Sequence, residues 1–324
     1  MVSLSVIIPS YHRPDNLRRC LEGLAGSTRL PQETLVVLHR EDAESQAALA
    51  ELPEWGTKLG LRVILVEQAG QIPQMNAGLA AARGDVVCFT DDDCVPHPDW
   101  LERLAAAYAD PRVGGAGGRD VVHNGEVVNN ARGRVVGHVT WYGRVIGNHH
   151  LVFPPGRVEV QHLKGANMSF RREAAPPLDP RMVLGPGTGS LNDTDLSLAV
   201  RRRGWRLVYD PEARVEHYPA PRHGLTHRDY ANPEQVYLDS HNWTYLNLKH
   251  FGGAHRAASL AYAVAVGSGN RLGLVKLSLR AARGPRRAWR QYLATWAGMR
   301  AGLRDWRAQR KQQASGQPEE GAGR

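Results

Sequence analysis

The sequence predicts an α/β fold in which helices cover both faces of a central sheet and a helical extension follows at the C-terminal end. Over the first 112 residues, short β-branched runs alternate with segments of helical periodicity. From about residue 221, helical patterns rich in aromatic and basic residues take over. The 324 residues, 42% apolar and 23% charged, suffice for one large or two modest domains and exclude a disordered chain, a collagen-like repeat and a coiled-coil rod.

The first element is a strand, because residues 3–9 form a brief β-branched run that a proline closes. A helix is predicted from Asp15, where Leu17, Cys20, Leu21 and Leu24 recur at helical spacing. The alternation continues with strands at 34–38, 62–67 and 85–90 and helices at 42–52, 73–82 and 98–108. Such alternation is typical of a parallel sheet.

The alternation weakens from about Val113. Here the sequence predicts strands near Val121, at 157–163, 166–170 and 205–209, the last ended by Asp210-Pro211, and a helix at 190–203. A basic helical region at 221–311 and a disordered tail at 312–324 complete the expected organisation.

The cysteines and apolar runs bear on the compartment. Cys20, Cys88 and Cys94 are too few and too irregularly spaced for a disulfide framework, which favours a reducing environment. The N-terminus lacks the basic region and cleavage site of a secretory signal, and the apolar stretch at 257–266 is shorter than the roughly 20 residues of a membrane span. We therefore expect a cytoplasmic protein without a transmembrane segment.

The net charge of +9 is concentrated near the C-terminal end, since residues 280–311 hold ten basic residues against one acid. The same segment places apolar residues at intervals of three and four, namely Trp289, Tyr292, Leu293, Trp296, Met299, Leu303 and Trp306. A basic amphipathic helix of this kind suits an anionic membrane surface. Alternatively, the same face packs on the catalytic body or another subunit. No nucleic-acid partner is expected, because no recognised nucleic-acid fold accompanies the charge.

Three carboxylates, Asp91, Asp92 and Asp93, directly follow the apolar run 86–89. In open α/β sheets ligands bind beyond the carboxyl ends of the strands. The mutual repulsion of the acids calls for a counter-charge, which Mg²⁺ or Mn²⁺ would supply while holding a diphosphate. The alternative is a solvated acidic loop or a helix-capping turn.

With these motifs the sequence resembles the inverting glycosyltransferases of family 2. The matching segments are 5–13 (SVIIPSYHR), 76–79 (NAGL) with 82–85 (ARGD), 89–93 (FTDDD, the family's DxD signature), 165–172 (GANMSFRR), 192–198 (NDTDLSL) with 203–205 (RGW), and 211–217 (PEARVEH). Each is weak alone, but the six occur in the family's order over roughly residues 3–220.

The resemblance implies a GT-A fold with a mixed central sheet. It implies a catalytic domain at 1–220, with a nucleotide-sugar-binding half at 1–112 and an acceptor half at 113–220. It assigns donor binding to Pro9, Tyr11, Arg13, Asp42, Asn76, Asp91 and Asp92. It assigns Mg²⁺ or Mn²⁺ binding to Asp93, Asp91 and His217, and the acceptor side to Gly165, Asn167 and Asn192. Asn192 stands where the family usually has an acid, and His39 precedes Asp42 where the family often has Asp.

Asp193 is the residue that the resemblance marks as general base. An inverting transfer needs one carboxylate to take the proton of the acceptor hydroxyl, whereas a retaining double displacement needs a second, nucleophilic one. The alternative role for Asp193 is to cap the following helix, and both roles can coexist.

The function expected from these residues is the transfer of a sugar from a nucleotide diphosphate sugar to a carbohydrate or lipid-linked hydroxyl acceptor. The expected setting is cell-envelope polysaccharide or glycolipid synthesis, with peripheral binding at the inner face of the plasma membrane. A nucleotidyltransferase of related fold is one alternative, although residues 10–15 lack the glycines that hold a triphosphate. A catalytically silent binding or scaffold protein is another, for which Asn192 is the only hint.

Overall fold

The structure is a computed structural model, and it describes residues 2–52, 57–68, 70–124, 127–128, 135–182, 191–220, 232–269, 271–282 and 284–315. The chain divides into two compact units. The first, here called the sheet unit, comprises Met1–His138, Ile146–Leu178 and Leu196–Pro221. The second, the helical unit, comprises Val139–Val145, Asp179–Asp195 and Arg222–Arg324.

Four parallel strands, in the order β3-β2-β1-β4, form one half of the sheet. They are β1 (Leu4–Ser10), β2 (Glu33–His39), β3 (Leu61–Val66) and β4 (Val86–Phe89). The helices of this half are α1 (Pro14–Ala25), α2 (Ala43–Ala50), α3 (Gln71–Ala81) and α4 (Trp100–Ala107). The predicted alternation of strands and helices is confirmed, with boundaries within about two residues for most elements.

Side chains of β1 alternate between the two faces of the sheet. Val6 and Ile8 lie in one apolar cluster with Leu17 and other residues of α1. Ile7 points the opposite way, against α3, where a Cβ added to Gly78 would lie only 2.5 Å from Ile7 Cγ2. Helices therefore cover both faces, and a β-branched strand with no polar face is what such burial requires.

The remaining strands make the sheet mixed, as predicted. They are β5 (Cys94–Pro96), β6 (Val113–Asn124), β7 (Val127–Val128), β10 (Val158–Val160), β11 (Met168–Arg171) and β12 (Arg206–His217). Strand β11 runs antiparallel to β4 and β6, while β12 runs parallel to β6. Between them in the chain, β8 (His138–Val139) and β9 (Val145–Ile146) form a separate two-stranded ladder.

Strand β12 corrects one prediction, because it does not end at Asp210-Pro211 but continues to His217. The register shifts between Asp210 and Arg214, so Pro211 lies in a bulge, where its missing N–H leaves no ladder bond unmade. Beyond the bulge, β12 pairs with β5, a strand the sequence analysis missed, and this pairing sets His217 opposite Cys94.

The helical unit contains a 3₁₀ turn (Pro180–Met182) and the start of α5 (Asn192–Arg202), a helix that ends in the sheet unit. Its other elements are α6 (Pro233–His250), α7 (Gly253–Ala265), β13 (Gly267–Ser268), β14 (Arg271–Leu272), α8 (Leu274–Ala281) and α9 (Pro285–Ser315). None of the described helices combines the length and apolarity needed to cross a membrane.

Helices α6 and α9 cross at very short range. A Cβ at Gly298 would lie 2.2 Å from the Tyr237 carbonyl oxygen, and one at Gly302 would lie 2.6 Å from the His241 carbonyl oxygen. The buried face of α9 consists mainly of small and polar residues, namely Ala288, Gln291, Thr295, Gly298, Met299, Ala301, Gly302 and Gln309. Of the predicted aromatic stripe, Trp289 and Leu293 remain exposed. The helix continues four residues past 311, and the rest of the predicted tail, 316–324, lies outside the described residues.

Candidate active site

Three carboxylates follow strand β4 in the sheet unit. Asp92 and Asp93 are buried, and Asp91 is half-buried. Burial, reinforced by the charge of Asp93, raises the pKa of Asp91 to about 7. Burial likewise raises the pKa of Asp92 to about 6, although Arg13 opposes the shift. Because these carboxylates repel one another when they are ionised, a cation bound among them would be stabilised.

Asp93 faces His217, the last residue of β12, which follows the bulge in that strand. Its Oδ1 lies 3.4 Å from His217 Nε2, and its Oδ2 accepts the backbone N–H of Ala220 (3.0 Å). Burial works to lower the pKa of His217, but the hydrogen bond and charge of Asp93 outweigh it and raise that pKa. The pair is thus held together by its own charges.

The residues present fit a divalent cation. The gap between Asp93 Oδ1 and His217 Nε2 is close to the ~3 Å that separates adjacent ligands of an octahedral ion at about 2.1 Å. His217 Nδ1 is buried and has no hydrogen-bond partner within the described part of the chain. Cys94 Sγ also lies in this group, but burial and the neighbouring acids raise the pKa of that thiol well above its usual value. Asp93 offers the carboxylate oxygen that Mg²⁺ and Mn²⁺ prefer, and His217 offers an imidazole nitrogen beside it, whereas a thiol that stays protonated is a poor ligand.

Asp120, in the middle of β6, is a further acid of this cluster that the sequence analysis missed. It is fully buried and paired with Lys164, and its charge acts on both Asp91 and His217. Its Oδ1 has no hydrogen-bond partner among the residues described. The signal in the sequence that could have identified Asp120 is a single acid within a largely apolar strand. The direction of its side chain, however, follows only from the pairing of that strand.

The loop after β1 is fixed by two buried carboxylates. Asp92 accepts hydrogen bonds from Ser10 Oγ (2.7 Å) and Arg13 Nη1 (3.1 Å). Asp42 accepts the backbone N–H of His12 (2.7 Å) and caps α2 through the N–H of Ser45 (3.1 Å). Asp92 and Asp42 were predicted to bind donor, and their contacts show that they shape the loop that carries Tyr11 and Arg13.

Tyr11 is exposed at the carboxyl end of the parallel strands. Its ring is nearly perpendicular to the rings of His12 and His39, with centroids 4.4 Å and 5.9 Å away. A tyrosine held in this way suits stacking on a nucleobase. Pro9, also predicted at the donor, lies within β1 opposite Val37.

Two predicted site residues use their amides to hold the backbone. Asn76 Nδ2 donates to the Leu178 carbonyl (2.9 Å), and its Oδ1 accepts the Leu178 N–H (2.7 Å). Asn167 is fully buried, donates to the carbonyls of Arg119 and Ala213 and accepts from Trp100 Nε1. Gly165 lies two residues earlier, in the turn before β11. Their contacts with donor or acceptor remain predictions.

The start of α5 belongs to the helical unit. Asn192 is buried, and Asp193 is half-buried with its Oδ1 accepting the Thr194 N–H (2.6 Å), a contact that supports the helix start. Asp195 is buried between Lys249 (2.8 Å) and His250 (2.7 Å). Burial would raise the pKa of Asp195, but the two cations lower it to about 2. Asp195 is therefore a permanent anion engaged in a structural network.

Lys249 extends that network to Asp179, which its Nζ approaches at 2.8 Å. The Tyr245 hydroxyl also donates to Asp179 (2.6 Å). Asp179 and Asp195 are thereby both tied to α6 through buried charges.

The mixed sheet with helices on both faces has a GT-A-like fold. The chain matches the model of Glycosyl transferase family 2 over residues 5–176, and it belongs to that family.

Structural neighbours include the mannosyltransferase PcManGT from Pyrobaculum calidifontis, in complex with GDP-Man and Mn²⁺ (18% identity, TM-score 0.53, covering 94% of this chain and 88% of the other). Another is S. aureus TarS 1–349 in complex with UDP-GlcNAc (17% identity, TM-score 0.54, covering 98% and 93%).

Curated relatives include the glycosyltransferase AglE of Haloferax volcanii, 33% identical over 120 residues, which are 36% of this chain and 38% of AglE. The O-antigen biosynthesis protein RfbC of Myxococcus xanthus is 28% identical over 250 residues, 72% of this chain and 18% of RfbC. The chain therefore spans well under half the length of these relatives. The membership of Glycosyl transferase family 2 and the GT-A-like fold are therefore shown.

Proposed function

We propose that the protein transfers a sugar, with inversion, from a nucleotide diphosphate sugar to a hydroxyl acceptor. The observation that carries this proposal is the pair of Asp93 and His217, which meet only because a bulged strand brings a distant histidine to the acidic strand end. Such a pair, with Asp91 beside it, suits the binding of a cation and a diphosphate.

The donor would be held by the sheet unit. Asp93, Asp91 and His217 would bind Mg²⁺ or Mn²⁺, and the cation would neutralise the diphosphate as it leaves. Arg13, oriented by Asp92, would bind the diphosphate, and Tyr11 would stack on the base. Asp193 would take the proton from the attacking hydroxyl.

The acceptor we propose is a carbohydrate or lipid-linked hydroxyl of the cell envelope, and we place the activity at the inner face of the plasma membrane. The name of the relative RfbC, an O-antigen biosynthesis protein, supports the first part. The basic C-terminal helix supports the second, because cations favour the anionic surface of a membrane.

Release of nucleoside diphosphate tests the proposal without knowledge of the acceptor. Purified protein is incubated with a panel of UDP-, GDP- and dTDP-sugars in Mn²⁺, with water as the acceptor. We expect release from one class of donor, lost in chelator and in Asp93→Asn. Release from none of them, together with pyrophosphate formation from a nucleoside triphosphate and a sugar phosphate, would indicate a nucleotidyltransferase instead.

A further inference from the structure

Among the residues that the structure describes, the helical unit exposes six large hydrophobic side chains by at least half, from 50% at Val275 to 74% at Trp141. We call them together the apolar surface: Trp141, Leu274, Val275, Leu279, Trp289 and Leu293. In the described part of the sheet unit, no large hydrophobic side chain exceeds the 45% exposure of Val63. Single exposed apolar residues are ordinary, whereas a group of them marks an interaction site.

The elements that carry these residues adjoin one another. Helix α8, none of whose residues is buried, packs against α7 and α9. Arg280 of α8 hydrogen-bonds Gln291 of α9 (3.2 Å). Helices α8 and α9, which carry five of the six residues, are therefore neighbours.

The turn at Trp141 is anchored to the same helices. Trp243 Nε1 of α6 donates to the Gly143 carbonyl (2.6 Å), and the ring of Tyr142 packs on Tyr262 of α7 with centroids 4.6 Å apart. Trp141 itself meets Tyr142 edge-on and projects into solvent. A rigidly held turn with an exposed tryptophan at its tip is suited to insertion rather than to packing.

The segments that carry the apolar surface contain basic residues and no acid. Residues 240–304 contain no aspartate or glutamate. Burial lowers the pKa of Lys276 of α8, and the positive charges of Arg280, Arg144 and Arg271 lower it further. Arg286, Arg287 and Arg290 follow at the start of α9. The exposed leucines and tryptophans are thus set in a positive field.

We propose that the apolar surface docks on an anionic lipid bilayer, with the hydrophobic side chains entering the interface and the cations contacting the headgroups. This combination is what interfacial binding requires. Docking on a second copy of the chain is the less favourable alternative. In a twofold interface the same cationic surface of each copy would face the other, and the two would repel each other. The proposal names the surface responsible for the membrane location given under Proposed function, but vesicle binding does not require transferase activity.

Vesicle co-sedimentation tests it on the full chain, with phosphatidylcholine vesicles that contain or lack phosphatidylglycerol. We expect binding only to the anionic vesicles, declining as salt is raised. Lys276→Gln combined with Arg290→Gln should weaken it about 30-fold at low salt, from roughly 1 kcal/mol for each cation near the surface. Trp141→Ser combined with Leu279→Ser should also abolish most of the binding, whereas the exposed Leu65→Ser of the sheet unit should leave it unchanged.

Circular dichroism and nucleoside diphosphate release check that each variant is folded, and since none of the altered side chains is fully buried we expect both to match the parent. Equal sedimentation of the parent and the Trp141→Ser/Leu279→Ser variant would overturn the proposal. So would equal binding to zwitterionic and anionic vesicles. Parent protein that self-associates without binding vesicles, and becomes monomeric in the double variant, would assign the surface to a second copy. Vesicle binding without any donor turnover would refute the proposed function but leave this inference intact.

Discussion

Asp193 and Asp195 stand two residues apart at the start of α5, yet their surroundings give them different chemistry. Asp195 is buried between Lys249 and His250, and its pKa is lowered to about 2. Its lone pairs are committed to two cations, so it is a poor proton acceptor near neutral pH. Asp193 is half-buried, and its Oδ1 accepts the Thr194 N–H. At the residue scale, Asp195 is therefore a poor candidate for the general base that we propose at Asp193.

Replacing Asp193 by Asn should lower kcat by about 10²- to 10⁴-fold, the usual cost of losing a positioned base. Donor affinity should stay near parental, because the predicted donor residues belong to the sheet unit. Steady-state kinetics combined with calorimetric titration of the nucleoside diphosphate measures both quantities. A folded Asp195→Asn enzyme without turnover, beside an Asp193→Asn enzyme with near-parental turnover, would move the assignment to Asp195.

Asp195 should instead govern stability. Removing one partner of a buried ion pair costs about 3–5 kcal/mol, so Asp195→Asn should unfold at much lower urea concentration at neutral pH. Because the folded pKa is lowered from 3.8 to about 2, this stabilisation is present above pH 4 and is lost as the pH falls through 2. Urea midpoints measured from pH 7 down to pH 2 should therefore converge for variant and parent. A constant difference across that range would contradict the assignment.

Secondary-structure elements were predictable wherever the signal is local. The β1 run and the helical spacing of α1 each follow from residues that are neighbours in sequence. Strand β5 and the continuation of β12 past Pro211 were not predictable, because both depend on pairing between segments more than 100 residues apart. The same holds for the site: the acidic triplet is a local motif, whereas the pairing of Asp120 with Lys164 exists only in the folded sheet.

The crossing of α6 and α9 gives a prediction at the element scale. Gly298→Ala should destabilise the helical unit, because its Cβ would meet the Tyr237 carbonyl and a forced shift of packed helices costs about 1–3 kcal/mol. The opposing gain in helix propensity is at most about 1 kcal/mol. Thermal unfolding followed by circular dichroism measures the net effect.

Gly253→Ala is the matched control, since a Cβ there meets nothing within 4 Å. It should leave the melting temperature unchanged or slightly raised. A Gly298→Ala protein as stable as this control would show that the helices do not pack as closely as described.

For the whole molecule, the charge asymmetry was readable from the sequence, because a count of charges needs no structure. Which hydrophobic side chains stay exposed was not readable, since the spacing in α9 allows more than one packing face. The structure resolves the choice: Gly298 and Gly302 approach α6, and Trp289 and Leu293 are left in solvent. Family membership was predictable because six motifs occur along the chain in the family's order, and this order can be read without knowing the structure of the loops between them.

The most direct test of the central claim, that Asp93 belongs to a metal site that binds the donor, is calorimetric titration of UDP and GDP in Mn²⁺ and in chelator. We expect the parent to bind one of them only with Mn²⁺. In Mn²⁺, Asp93→Asn should bind that nucleotide at least 10- to 100-fold more weakly than the parent does, since loss of a residue that supports a metal site typically costs roughly this much. Glu22→Gln, an exposed acid on α1, should bind as the parent does. Equal binding by Asp93→Asn and the parent, both in Mn²⁺ and in chelator, would contradict the account.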